Sequence, residues 1–220
     1  MPAEIILVGG AAVLANYGFR DSTTAVDAII SASSVMKEAI IKVGDNFGLP
    51  HEWLNNNFKT TTSFTGKLVE VSQYYKTFSN VLQVRAVSAE YLLAMKLMSG
   101  RQYKKDLSDI AGILLEHHRM GRPITMEAIK QAVVKLYGDW SSLPQKSQDI
   151  IQEAFVYGDY ENLYEKLGKR EKSIRQNMLE FDKQNLITKS SFEEFLEKAK
   201  QKQRENEDSY DNSKDKDYEM

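Results

Sequence analysis

The feature that most constrains this chain is its opening, where an apolar run over residues 4–8 stops at Gly9-Gly10 and residues 11–17 continue as a helix closed by Gly18. Glycines at a strand end allow a turn too tight for side chains, and a glycine after a helix takes a left-handed conformation that other residues resist. Strand, turn and helix therefore follow without a linker. A polar loop over residues 19–24 leads to Ala25-Val26-Asp27-Ala28-Ile29-Ile30, the second expected strand, and Ser33 or Ser34 caps a helix reaching about residue 43. Two strand–helix units in succession require a sheet with helices packed on it.

Turn chemistry over residues 45–50 and a polar, loop-like stretch over 55–65 precede expected strands at 67–71 and 81–87. Ser88 then caps a helix to Leu97 that Gly100 stops. The next helix, over 103–118, sets Leu107, Ile110, Ala111, Leu114 and Leu115 on one face, predicted to pack on the sheet. A further amphipathic helix covers 126–137, and Gly138-Asp139 marks the expected end of the first domain. Beyond it the pattern is helical over 147–157, 160–183 and 190 to about 203. From residue 204 onward seven acidic residues stand against three basic ones, and so few apolar residues remain that burial cannot offset the entropy of ordering. The expected organisation is an α/β (α+β) domain over 1–137 with a small mixed sheet and flanking helices, a helical segment over 138–203, and a disordered acidic tail over 204–220.

An apolar fraction of 42% and a charged fraction of 27% over 220 residues suffice for a core and exclude a fibrous or wholly disordered chain. The absence of cysteine removes disulfides, thiolate metal sites and cysteine nucleophiles, and fits a reducing compartment. Neither a signal-peptide pattern nor an apolar stretch of membrane-spanning length occurs, so the expected location is the cytoplasm, away from membranes. A net charge of -2 argues against indiscriminate binding to nucleic acid and leaves only local basic patches for that purpose.

Gly9-Gly10, with Arg20, Ser22, Thr23 and Asp27 after them, form the first group able to do chemistry. The glycines let a phosphate approach the backbone, and the unpaired N–H groups of the helix start attract it. Asp27, on the neighbouring strand, could hold a Mg²⁺ that bridges phosphate oxygens. On pattern alone the plainer reading, a tight turn and a surface carboxylate, comes first. A second group gathers Lys96, Arg101, Lys104 and Lys105, with Asp106 and Asp109 expected on the exposed side of their helix. It reads equally as phosphate organisation or as a solvated ion-pair network of little worth. His51, His117 and His118 are expected at the surface without partners, and Tyr74, Tyr75, Tyr157, Tyr160 and Tyr164 as packing residues.

The stretch Ile5-Ile6-Leu7-Val8-Gly9-Gly10-Ala11-Ala12-Val13-Leu14, followed by Tyr17-Gly18-Phe19-Arg20-Asp21-Ser22-Thr23-Thr24-Ala25-Val26-Asp27, resembles the opening of a nucleotidyltransferase-fold family. It is similar to the bacterial group related to the AbiEii toxins of abortive-infection toxin–antitoxin systems. A second block, Tyr91-Leu92-Leu93-Ala94-Met95-Lys96-Leu97-Met98-Ser99-Gly100-Arg101 with Lys105-Asp106-Leu107-Ser108-Asp109-Ile110, resembles that family's later motif, and the likeness runs over roughly residues 4–137. The resemblance implies that Gly9, Gly10, Arg20, Ser22, Thr23 and Arg101 surround the phosphates of a nucleoside triphosphate (NTP). It also implies that Lys96 and Asp106 organise the substrate, and that two acidic residues one position apart bind Mg²⁺. Alternate residues of a strand share a face, which is how such a pair reaches one ion. Here the first of the pair is Ala25, leaving Asp27 as the metal ligand, and Asn55, Asn56 and Asn57 supply only amides. The family commonly has a helix ahead of the first strand, whereas this chain opens almost directly on it.

By resemblance, then, the chain binds an NTP with Mg²⁺ and transfers a nucleotidyl group to an acceptor hydroxyl, RNA being the acceptor suggested. Loss of one charged ligand weakens Mg²⁺ binding and transfer with it. An inactive member, a substitute carboxylate such as Asp21 or Glu70, and an altered residue 25 all remain open. The alternative function is a catalytically silent member that binds a protein partner such as a cognate antitoxin. An RNA-binding adaptor using the basic cluster around Arg101 is a third.

Overall fold

Ile5 and Ile6 are adjacent, β-branched and apolar, so a strand that carries them is stable only where both its faces are covered. In the computed structural model both are buried, and their strand, β1 (Ala3–Leu7), is the middle strand of a five-stranded mixed sheet. The structure describes residues 3–20, 22–23, 25–31, 34–101 and 105–184. The helix expected over 190–203 and the acidic tail lie outside the described residues, as do Asp21 and Lys104. Antiparallel to β1 runs β2 (Val26–Ser31), which pairs in parallel with the two-residue β3 (Leu54–Asn55). On the other side β5 (Leu82–Val87) runs parallel to β1, and β4 (Ser72–Phe78) forms the antiparallel edge, giving the order β3-β2-β1-β5-β4.

The strand expected at 67–71 is not there. Gly66–Leu68 form a 3-10 turn whose Leu68 is fully buried, and the strand begins at Ser72. Most of β4 is exposed, with Tyr74, Tyr75 and Phe78 on the surface, so an edge position removes the apolar alternation by which a strand is recognised. The expected loop over 55–65 holds a second 3-10 turn, Asn57–Thr60, pinned by buried Phe58.

The helices are α1 (Gly9–Asn16), α2 (Ser34–Phe47), α3 (Ala89–Ser99), α4 (Asp106–Arg119), α5 (Met126–Tyr137), α6 (Gln145–Tyr157) and α7 (Tyr160–Gln184). Every residue of α3 from Leu92 to Leu97 is buried, as expected of a helix covered on all sides, and α1, α4, α5 and α6 pack around it. The apolar face of α4, with Leu107, Ile110, Ala111 and Leu114, joins the same core as the strand residues, and α4 packs against α3. A fully buried leucine such as Leu97 contributes about 1.5–3 kcal/mol through the surface it removes from water.

One compact unit spans Met1–Arg175. Gly138, at φ +92°, caps α5 within it, and Leu143, Ile151, Ala154 and Leu167 beyond that point belong to the same buried core as α3 and α5. The observed class is the expected one, a mixed α+β domain on a small mixed sheet with helices following it.

Candidate functional site

Antiparallel pairing fixes the first part of the site. Leu7 lies opposite Ala28, and the Val8 N–H donates to the Asp27 carbonyl at 3.1 Å, so the end of β1 and the start of β2 are side by side. At that junction Gly9 has φ +54°, a conformation that favours glycine, and α1 begins with no side-chain cap. The first N–H groups of the helix therefore lack intrahelical partners. A Cβ placed on Gly9 would lie 3.7 Å from Asp27 Oδ2, so carboxylate and turn face one another. Gly10 is more tightly constrained, since its Cβ would come within 2.6 Å of Arg20 Nη2. The guanidinium of Arg20 is thus laid over the start of the helix.

A buried chain of alternating charges holds Arg20 there. Arg20 Nη1 pairs with Asp109 Oδ2, and Lys96 Nζ donates to the same oxygen at 2.7 Å and to Asp106 Oδ1 at 3.1 Å. Arg101 Nε and Ser99 Oγ complete the chain by donating to Asp106 Oδ2 at 2.9 and 2.6 Å. The aspartates come from the first turn of α4 and the lysine from α3, where those two helices pack. The expectation that Asp106 and Asp109 share an exposed face is corrected: they are 5% and 3% exposed. Burial raises the Asp106 carboxyl, but the Lys96 and Arg101 cations and the Ser99 and Lys96 hydrogen bonds outweigh it and hold the group below its ordinary range.

These groups line one cleft of 260 Å³. Of the residues singled out in the sequence, Gly9, Gly10, Arg20, Thr23, Asp27, Lys96, Arg101 and Asp106 reach it, and Ser22 does not; Ser22 is exposed and offers its carbonyl to Arg20 Nε. Ala25 lines the cleft beside Asp27, as alternation along a strand requires. Thr23 Oγ1 donates to the Ala25 carbonyl at 2.9 Å and steadies the loop entering β2. The Asp27 carboxylate has no hydrogen-bond or ion-pair partner among the described residues, and no cluster of three or more His, Asp or Glu side chains occurs among them. Mg²⁺ is commonly held by one or two carboxylates with the remaining positions filled by phosphate and water. A lone carboxylate such as Asp27 suits an ion that arrives with phosphate.

Sequence reasoning missed two features. Asp109 is the hub of the charge chain, and its partner Arg20 is 89 positions away, a contact no local pattern encodes. Glu171 of α7, 3% exposed, accepts from the Leu107 and Ser108 N–H groups at 2.9 and 3.2 Å, capping the turn of α4 that carries both aspartates. His117, expected without a partner, lies 3.0 Å from the Tyr17 hydroxyl. Tyr164 packs edge-on to Phe19, whereas Tyr74, Tyr75 and Tyr157 are exposed rather than packed.

Residues 1–118, more than half the chain, match the family described as Nucleotidyltransferase of unknown function (DUF6036), and the chain belongs to that family. Neither the curated proteins nor the solved structures contain a match to it.

Proposed function

We propose that this protein binds a nucleoside triphosphate with its phosphates against Gly9-Gly10, among Arg20, Lys96 and Arg101, and transfers the nucleotidyl group to an acceptor hydroxyl. The observation that carries the proposal is the meeting of an Asp27 carboxylate with no partner among the described residues, a glycine turn opening a helix, and a cation chain in one cleft. Among the described residues Arg20, Lys96, Arg101 and Lys105 outnumber the cleft's three aspartates, and the Lys105 side chain has no partner among them. Such a surplus favours a multiply charged anion.

In the proposed step the acceptor oxygen bonds to the α-phosphorus and the bond from that phosphorus to the bridging oxygen breaks. Pyrophosphate leaves with the electron pair, and the hydroxyl proton passes to water. Asp27 would hold Mg²⁺, which when bound offsets charge on the phosphate oxygens. Arg20, Lys96 and Arg101 orient the phosphates. The likeness to AbiEii-type toxins over residues 4–137 extends the proposal to an RNA acceptor, a bacterial cytoplasmic setting and a cognate antitoxin as protein partner.

Ala25 favours a second reading, in which the chain binds nucleotide or a protein partner without transfer, because it leaves Asp27 without a second carboxylate one position away on its strand. Calorimetric titration with each NTP, with and without Mg²⁺, tests both. The expected result is NTP binding by the parent, with Mg²⁺ affinity and transfer increased in Ala25→Asp. Absence of binding by both proteins overturns the nucleotide reading, and a stable protein partner recovered alongside that absence supports the second.

A further inference from the structure

A second cleft, of 460 Å³, adjoins the first, and Arg20, Lys105 and Asp109 belong to both linings. Its far wall is a stripe of α7 in which Tyr164, Gly168, Lys172 and Arg175 recur at helical spacing. Gly168 leaves the wall open, since a Cβ there would meet nothing within 4 Å. Among the described residues the cleft's acidic groups are already engaged. Asp109 is held by Arg20 and Lys96, Glu171 caps α4, and Glu165 pairs with Lys169. The side chains of Lys105, Lys172 and Arg175 have no hydrogen-bond or ion-pair partner among the described residues, and Lys172 and Arg175 are exposed. The uncompensated charge of this cleft is therefore positive, and it lies beyond the wall of the proposed phosphate site.

We propose that this second cleft receives the acceptor, and that the acceptor carries phosphate groups contacted by Lys105, Lys172 and Arg175. The inference rests on the nucleotide reading, because an acceptor oxygen has to approach the α-phosphorus from a neighbouring site. Lysine and arginine around an open groove suit tetrahedral phosphate, which accepts hydrogen bonds from several directions. The phosphate could belong to a nucleic-acid strand or to a small phosphorylated molecule, and two probes distinguish these sources.

Binding of a fluorescent single-stranded 12-mer and of a nucleoside monophosphate is measured on the full chain and on Lys172→Glu/Arg175→Glu, with NTP titration of each as the control. The expected result is at least about tenfold weaker probe binding by the variant near physiological salt, and a salt slope for the strand shallower by about 1.4. NTP affinity stays unchanged. Binding of the 12-mer identifies a strand acceptor, and binding of the monophosphate alone a small one. The proposal is overturned if the parent binds NTP but neither probe, if the double substitution leaves probe affinity unaltered, or if poly-glutamate binds as tightly as the strand. A parent that binds a probe through Lys172 and Arg175 but binds no NTP overturns the nucleotide reading and the acceptor role together, leaving only an anion cleft.

Discussion

Gly10 and Arg20 can hold their positions only together, because a Cβ on the first would stand 2.6 Å from Nη2 of the second. The guanidinium has little freedom to yield. Asp109 grips one end, the Ser22 carbonyl accepts from Nε at 3.1 Å, and the side chain is 11% exposed.

Gly10→Ala should therefore displace Arg20 and break its pair with Asp109. Overpacking of this kind costs about 1–3 kcal/mol, and the loss of a charged hydrogen bond to bound phosphate lowers affinity about tenfold or more. Urea unfolding and NTP titration read the two effects separately. Gly18→Ala is the control, since nothing lies within 4 Å of a Cβ there and Gly18, expected as a left-handed cap, is not among the positive-φ residues, α1 ending instead at an extended Tyr17. Equal behaviour of the two variants would refute the coupling.

Lys96 is 4% exposed and bonds to both Asp106 and Asp109, so Lys96→Met leaves two buried carboxylates short of their shared cation. Breaking a buried ion pair from one side costs about 3–5 kcal/mol, whereas a solvated pair is worth less than about 1 kcal/mol. Chemical denaturation of the variant decides between these magnitudes. Adding Asp109→Asn to Lys96→Met should recover part of the loss, and strictly additive effects would show that the charges do not communicate.

The glycine turn was legible in the sequence because it follows from a short-range rule, whereas Asp27 stood out from a surface carboxylate only through the family resemblance. Two glycines at a strand end mark a close approach, and a carboxylate at the start of the next strand comes near that end once the strands pair antiparallel. The charge chain was not legible in the same way. Asp106 and Asp109 look like solvated helix residues until α3, α7 and the loop at Arg20 are placed around them. Edge strand β4 hid for a related reason, as its exposed tyrosines carry no apolar alternation. What failed in each case was knowledge of which neighbours cover a surface.

Asp106 gives stability a definite pH dependence. Its folded carboxyl lies below the ordinary value, so its contribution is present above the unfolded value and is lost as pH falls through the folded one. Unfolding free energy measured from neutral to acid pH should decline over that acid interval. In Asp106→Asn that part of the decline disappears while stability at neutral pH is lower, and a variant tracking the parent at every pH would contradict the assignment.

Glu171 has the opposite sign. Burial raises its carboxyl and Asp109 adds to the rise, against the lowering by Ser108 and the two backbone N–H groups, and the net shift is upward. A raised acid contributes fully below its unfolded value, and that contribution is lost as pH rises through the folded one. Glu171→Gln keeps an acceptor for the first turn of α4 without the buried charge, so its stability relative to the parent should be lowest in acid and improve toward neutral pH. Glu171→Ala removes the acceptor and leaves the Leu107 and Ser108 N–H groups buried without it, a loss of about 1–3 kcal/mol. Amide exchange at Leu107 and Ser108 should quicken in the alanine variant and stay slow in the glutamine one. NTP affinity should follow the same order, because the turn that Glu171 caps carries Asp106 and Asp109, which hold Lys96, Arg101 and Arg20 in the cleft. If the alanine variant exchanged as slowly as the parent and bound NTP as well, α7 would have no hold on the site.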